Sequence, residues 1–258
     1  MKHNYHTHTP RCGHARGTER EFIEAALNEG YETLGFSDHT PQFFAGDYYS
    51  NMRMRPELLA DYVSVLQKLK WEYRDKIDIL IGVELEYYPQ NFERLHKFLR
   101  ESGVEYMIMG QHFLGWEQGE RYTGSPSPED PVARLERYIA QTKEGLKTGL
   151  FTYFAHPDLL RFTGDNETYR KLWVPYLREL KAMNVPLELN LYGLNEDRIY
   201  PSKRFFALAR EVGNTVVYGT DAHWPDFIRI RTNETKADGF CASIGLEPYR
   251  GKVEIKRI

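Results

Sequence analysis

Apolar, β-branched runs alternate with longer helical patterns along the whole chain, and this alternation constrains the fold more than any other feature. Strands are expected at Lys2–Tyr5, Thr33–Ser37, Ile77–Val83, Tyr106–Met109, Phe151–Phe154, Pro186–Leu189 and Thr215–Tyr218. Helices are expected over Glu19–Glu29, Pro56–Asp75, Phe92–Glu101, from Pro128 or Pro131 to Thr148, and then over Thr168–Met183, Ser202–Val212 and Glu234–Ser243. Thr18 and Gly30 bracket the first of these as N-cap and stop signal. Pro175 falls within the Thr168–Met183 segment and predicts a kink or a helix start there. A β-prone tail, Val253–Ile258, ends the pattern. Strands that alternate with helices build parallel sheets. With no G-x-G-x-x-G phosphate loop to suggest an open doubly wound sheet, seven such units predict one closed or nearly closed α/β barrel. No linker, low-complexity tract or repeat divides the 258 residues, so a single domain over 1–258 is expected.

Composition narrows the function classes. The chain is 41% hydrophobic and 28% charged, as a globular protein with an ample core would be. A net charge of -3 offers no basic footprint for nucleic acid, so none is expected as a partner. Two cysteines, Cys12 and Cys241, are too few for a disulfide framework and suit a reducing compartment. The N-terminus has no apolar leader core, and no run of 18 apolar residues occurs, so no membrane association is expected and the cytoplasm is the default location.

The chemistry lies where the strands end. The first expected strand leads into His6-Thr7-His8, whose spacing of two puts both rings on one face of an extended backbone. The second exits into Asp38-His39, and the third into Glu84 and Glu86. The later ones exit into His112, His156, Asn190 and then Asp221 with His223, while His14 follows the first strand in a loop. Seven of the nine histidines therefore sit at or just beyond strand exits. In a parallel barrel all those exits open on one face, where active sites are built. Imidazole and carboxylate groups with almost no thiolate suit zinc, iron or manganese, and the set is large enough for two or three divalent ions. Such clusters generate a hydroxide nucleophile at neutral pH and clamp both oxygens in phosphoryl transfer. His3 and His96 are left over as an ordinary strand residue and an exposed helix residue.

These residues carry a family resemblance. His6-Thr7-His8, Cys12-Gly13-His14, Ser37-Asp38-His39, Gly82-Val83-Glu84, Gln111-His112, Ala155-His156-Pro157-Asp158 and Gly219-Thr220-Asp221-Ala222-His223 together resemble the polymerase and histidinol phosphatase (PHP) superfamily. Cys12-Gly13-His14-Ala15 and the stretch from Glu188-Leu189-Asn190 through Arg198, Tyr200 and Pro201 are most similar to its histidinol-phosphate phosphatases. The resemblance implies a distorted (β/α)7 barrel of TIM-like form with a trinuclear metal centre. It implies a first metal on His6, His8, Glu84 and Asp221, a second on Glu84, His112 and His156, and a third on His14, His39 and His223. It further implies a phosphomonoesterase of histidine biosynthesis that hydrolyses L-histidinol phosphate through a metal-bridging hydroxide.

Other residues have supporting roles in this reading. Arg161 and Arg198 lie on loops beyond the fifth and sixth strands, and their planar guanidinium groups suit a phosphate. Arg16 is a third candidate. Asp38 and Glu86 neighbour ligand positions and suit orienting a metal-bound histidine or holding a proton for the leaving alcohol. Cys12 suits shaping its tight turn better than nucleophilic attack. The loops Thr40–Arg55 and Phe113–Ser127 are long for a compact barrel, and Phe43, Phe44, Tyr48, Tyr49 and Trp116 could wall a substrate pocket. Two alternatives stay open: a PHP-type nuclease or phosphoesterase of other substrate, and a catalytically silent barrel that binds metal for stability.

Overall fold

The computed structural model describes the backbone of residues 1–258 and every side chain outside 230–233. Seven parallel strands run in sequence order around one sheet: β1 (His3–Asn4), β2 (Thr33–His39), β3 (Asp78–Leu85), β4 (Tyr106–Met109), β5 (Phe151–Phe154), β6 (Leu187–Asn190) and β7 (Val216–Gly219). The chain beyond β1 closes the ring. Thr7 bridges Ala222 in parallel, with His8 N donating to the Ala222 carbonyl at 2.9 Å, and Ser37 N donates to the Thr7 carbonyl at 2.8 Å. The helices are α1 (Glu19–Asn28), α2 (Leu59–Glu72), α3 (Pro89–Ser102), α4 (Pro131–Leu146), α5 (Asn166–Ala182), α6 (Leu191–Asn195), α7 (Lys203–Val212) and α8 (Ile230–Ile244).

Local chemistry sets the helix ends. Thr18 and Glu21 form a reciprocal capping box at α1, and Asp130, ahead of Pro131, accepts from Val132 N and Ala133 N at α4. The helix expected from Pro128 or Pro131 thus starts at the second. Pro175 neither starts nor ends α5. The helix runs through it because Trp173, Val174, Tyr176, Leu177 and Leu180 are buried around that turn, and packing outweighs one missing backbone donor. The short α6 directly after β6 was not expected from the sequence. Asn190 nucleates it by accepting from Gly193 N at 2.8 Å.

Alternation along each strand divides the interior from the shell. Ile79, Ile81, Val83 and Leu85 of β3, Met107 and Met109 of β4, and Leu187 and Leu189 of β6 face outward into the core beneath the helices. Tyr5, Leu80, Tyr106, Ile108, Tyr153, Ala155 and Val217 fill the barrel. Tyr106 lies across it and donates to the Tyr5 carbonyl at 2.8 Å. It fits only because Gly35 and Gly82 lack side chains: a Cβ on either would come within 2.3 Å of the ring or its hydroxyl. The tail expected as a strand makes just one isolated bridge, Arg257 with Tyr106, since β4 already pairs with β3 and β5. Instead it crosses the N-terminal mouth, where Val253 joins the interior cluster and its N–H donates to Tyr5 Oη at 3.1 Å. The bottom of the barrel is sealed, and its C-terminal end is left for the polar residues.

Candidate metal centre

All nine candidate ligands converge at that C-terminal end. Glu84, the last inward residue of β3, is the hub. Its Oε2 lies 3.5 Å from His6 Nε2, 3.7 Å from His8 Nε2 and 3.1 Å from His39 Nδ1. Its Oε1 lies 2.8 Å from His156 Nε2 and 3.6 Å from His112 Nε2. Asp221 Oδ1 is 2.9 Å from His8 Nε2 and 3.5 Å from His6 Nε2. His14 and His223 meet Nε2 to Nε2 at 3.0 Å, and the His14 and His39 ring centres are 5.3 Å apart. Both His156 and Asp221 hold left-handed backbone, at φ 29° and 52°. Such strain in non-glycine residues gathers at functional sites.

Three rings have a carboxylate behind them. Glu188 Oε1 lies 2.8 Å from His6 Nδ1, Asp38 Oδ1 3.5 Å from His8 Nδ1, and Glu86 Oε1 3.1 Å from His112 Nδ1. Each of these three rings therefore turns Nε2 inward, the arrangement in which an outer carboxylate orients a metal-binding imidazole. Glu188 is one of the residues that sequence reasoning missed as a functional group. Its signal was the alternation Leu187-Glu188-Leu189-Asn190, which puts a carboxylate and an amide inside a buried strand. Asn190 Nδ2 in turn donates to Glu188 Oε2 at 2.9 Å and Asp221 Oδ2 at 3.1 Å.

The electrostatics fit cations. His6 Nε2 and Glu84 Oε2 are buried, have no hydrogen-bond partner and lie 3.5 Å apart, a costly state for polar atoms unless something binds them. Burial opposes charging His6, yet Glu188, Asp221 and Glu84 outweigh it and push its pKa up to about 10. His8 is likewise raised against its burial, by Asp221 and Asp38. The carboxylates thus demand positive charge at the centre. Burial and the neighbouring charge of His8 push His14 down and His223 down to about 3. Burial also pushes His39 well below its usual value. Neutral rings are the form that binds metal.

A cavity of about 200 Å³ opens above the cluster, walled by Met52, Tyr122, Tyr192, Tyr200 and Arg198. Arg198 lies over the Tyr192 ring at 4.7 Å and donates to its hydroxyl at 3.0 Å. Arg161 is placed differently: its Nε donates to the Gly124 carbonyl at 3.1 Å and braces the second long loop. Arg16 is exposed, with its N–H donating to the His223 carbonyl. The expected aromatic wall is elsewhere. Phe43, Phe44, Tyr48 and Tyr49 line a separate cavity of about 360 Å³ formed by the first long loop, where Trp116 packs edge-on against Phe44. Phe44 packs edge-on against Tyr48 as well, Phe43 packs against Phe98, and Tyr49 is exposed beside Arg55; none of them lines the cavity over the cluster. Cys12 Sγ donates to the Thr9 carbonyl, and burial and Asp38 raise its pKa, so it remains a thiol that shapes its turn. His3 bonds Thr33 Oγ1 at the start of the barrel, and His96 stacks on Phe92 in α3.

A parallel barrel with a buried histidine and carboxylate cluster at its C-terminal end has the layout of a metal-dependent barrel enzyme. The sequence comparisons say which kind. Residues 4–191 match the PHP domain, and the chain belongs to the PHP domain family. The match ends before β7, the strand that completes the ring and leads into Asp221 and His223. A probable histidinol-phosphatase of Deinococcus radiodurans is 29% identical over 88% of this chain and 88% of its own length. The histidinol-phosphatase of Bacillus subtilis is 31% identical over 44% of this chain and 45% of its own. The fold is shared with the histidinol phosphate phosphatase of Lactococcus lactis, solved with zinc, L-histidinol and phosphate. That match has a TM-score of 0.73 at 19% identity and covers 100% of this chain and 98% of the other.

Proposed function

We propose that this protein is a metal-dependent phosphomonoesterase that hydrolyses L-histidinol phosphate to L-histidinol and phosphate, in a single barrel domain spanning residues 1–258. The observation that carries the reading is the division of labour at Glu84. One oxygen faces His6, His8 and His39 and the other faces His112 and His156, so this one carboxylate would serve cations held on either side of it. The relatives named histidinol-phosphatase supply the substrate.

His6, His8, Glu84 and Asp221 would hold one ion, Glu84, His112 and His156 a second, and His14, His39 and His223 a third. Zinc, iron or manganese suits these donors. Divalent ions bound there would supply activated water and neutralise charge on the phosphate, the two needs of so slow an uncatalysed reaction. The chain's own groups do the rest. Arg198 brings a fixed positive fork to the cavity, suited to two phosphate oxygens. Tyr122 and Tyr200 keep their protons, because burial raises both phenols, and present donors to the phosphate. Glu188, Asp38 and Glu86 keep His6, His8 and His112 turned inward. Arg161 is held at the Gly124 carbonyl and does not line this cavity. A cavity of about 200 Å³ suits a small ester. Both cysteines are free and buried, in keeping with a reducing compartment such as the cytoplasm. Among the described residues, no helix is long and apolar enough to cross a membrane.

The test is phosphate release by protein loaded with manganese, zinc or iron, from L-histidinol phosphate, a panel of other phosphomonoesters and single-stranded DNA. The highest kcat/KM is expected for L-histidinol phosphate. Efficient turnover of another ester alone would remove the substrate assignment, and DNA degradation would move the protein to the nucleases.

A further inference from the structure

The two long loops meet at a buried ion cluster behind Glu86, and its loop residues have no part in the proposed chemistry. Glu117, in the second loop, gathers three residues of the first: Tyr48 Oη donates to it at 3.2 Å, Arg53 Nε at 2.7 Å, and Ser50 Oγ donates as well. Arg53 is 1% exposed. Its Nη1 donates to the Thr40 carbonyl at 3.2 Å, and its Nη2 lies 2.5 Å from both Glu117 Oε2 and Glu86 Oε2. The other oxygen of Glu86 is the one that meets His112 Nδ1 at 3.1 Å. A continuous chain of side chains, Glu117–Arg53–Glu86–His112, thus runs from the loops to the metal cluster.

A neutral imidazole has one N–H. A carboxylate held at Nδ1 keeps the proton there and leaves the Nε2 lone pair free. Glu86 can do this for His112 only while it is itself fixed, and Arg53 Nη2, which it shares with Glu117, fixes it. We propose that Arg53, anchored by Glu117, is a positioning residue for His112. It sets metal affinity at the position His112 would share with Glu84 and His156, and so couples that position to the docking of the two loops. The proposal rests on the metal reading given above.

The test is cobalt(II) titration of metal-free protein, followed by visible absorption, with zinc(II) equilibrium dialysis to count ions. Arg53→Met should weaken one class of sites by about 10–100-fold and spare the others, as loss of an orienting partner does elsewhere. Glu86→Gln should weaken the same class. In the double variant Arg53→Met should add less than about twofold to the effect of Glu86→Gln, because both act through one chain of contacts. Arg53→Lys should recover part of the affinity and carries the test if Arg53→Met does not fold, which circular dichroism reports. Wild-type affinities in a folded Arg53 variant, equal weakening of every site, or additive effects in the double variant would overturn the proposal. A wild-type protein that takes up no cobalt would overturn the metal reading itself, and this proposal with it.

Discussion

The carboxylate of Glu84 occupies the space that a side chain on Gly110 would fill. A Cβ at position 110 would lie 1.8 Å from Glu84 Oε1. Gly110 follows β4 directly, so the hub of the cluster depends on a bare backbone on the next strand's exit. Gly219 and Glu188 repeat the relationship at 1.7 Å. The backbone at either position is outside the left-handed region, so the glycines are required by space and not by conformation.

Gly110→Ala is therefore expected to push Glu84 out of line between the imidazoles on its two sides. Overpacking a filled interior costs about 1–3 kcal/mol. Phosphatase activity should fall by at least about tenfold as the hub moves. Urea unfolding and kcat/KM on the same preparation check both. A variant with wild-type activity would place the hub elsewhere.

Glu188 accepts from four donors. His6 Nδ1 and Tyr153 Oη meet Oε1, at 2.8 and 3.3 Å, while His156 N and Asn190 Nδ2 meet Oε2, at 3.0 and 2.9 Å. An ionised carboxylate can satisfy all four, and an amide cannot, because half of it donates. Glu188→Gln is expected to lose about 1–3 kcal/mol of stability through an opposed buried donor. It should also lower kcat/KM by about 10–100-fold through a misaligned His6. Stability loss with unchanged kinetics would make Glu188 a packing residue only.

Val253 plugs the end of the barrel away from the cluster, against Tyr5 and Tyr106. Val253→Ala is expected to cost about 1–3 kcal/mol. In a protein of this size each kcal/mol lowers Tm by about 2–4 °C. Because the plug and the site lie at opposite ends, kcat/KM well below Tm should not change. Thermal unfolding with and without the substitution decides it.

Particular residues show what could be read from the sequence and what could not. Tyr106–Met109 and Phe151–Phe154 form the strands expected of them, since short apolar runs between turn signals have few other uses in a barrel. The histidines could be assigned to one face because strand exits in a parallel barrel share a face. Glu188 was hidden because a charge inside a strand reads as a solvated residue until the strand is known to be buried on both sides. The cavity wall was misplaced for a related reason. Phe43, Phe44, Tyr48 and Tyr49 are conspicuous in sequence, whereas Tyr122 comes from the loop after β4 and Tyr192 and Tyr200 from α6 and the turn beyond it, which only the folded barrel assembles. The tail looked like a strand because Val253 and Ile255 alternate with polar residues. The same alternation serves a plug that buries one side.

The most direct test of the account is metal content and L-histidinol phosphate turnover, measured together in wild type and His8→Ala. His8 Nε2 has Asp221 at 2.9 Å and Glu84 at 3.7 Å, so its loss opens the first proposed metal position from within. The wild type should hold at least two ions and lose its turnover on chelation. His8→Ala should hold about one ion fewer and turn over at least about 100-fold more slowly, with its circular dichroism unchanged. Wild-type turnover in His8→Ala, or turnover by metal-free protein, would contradict the account.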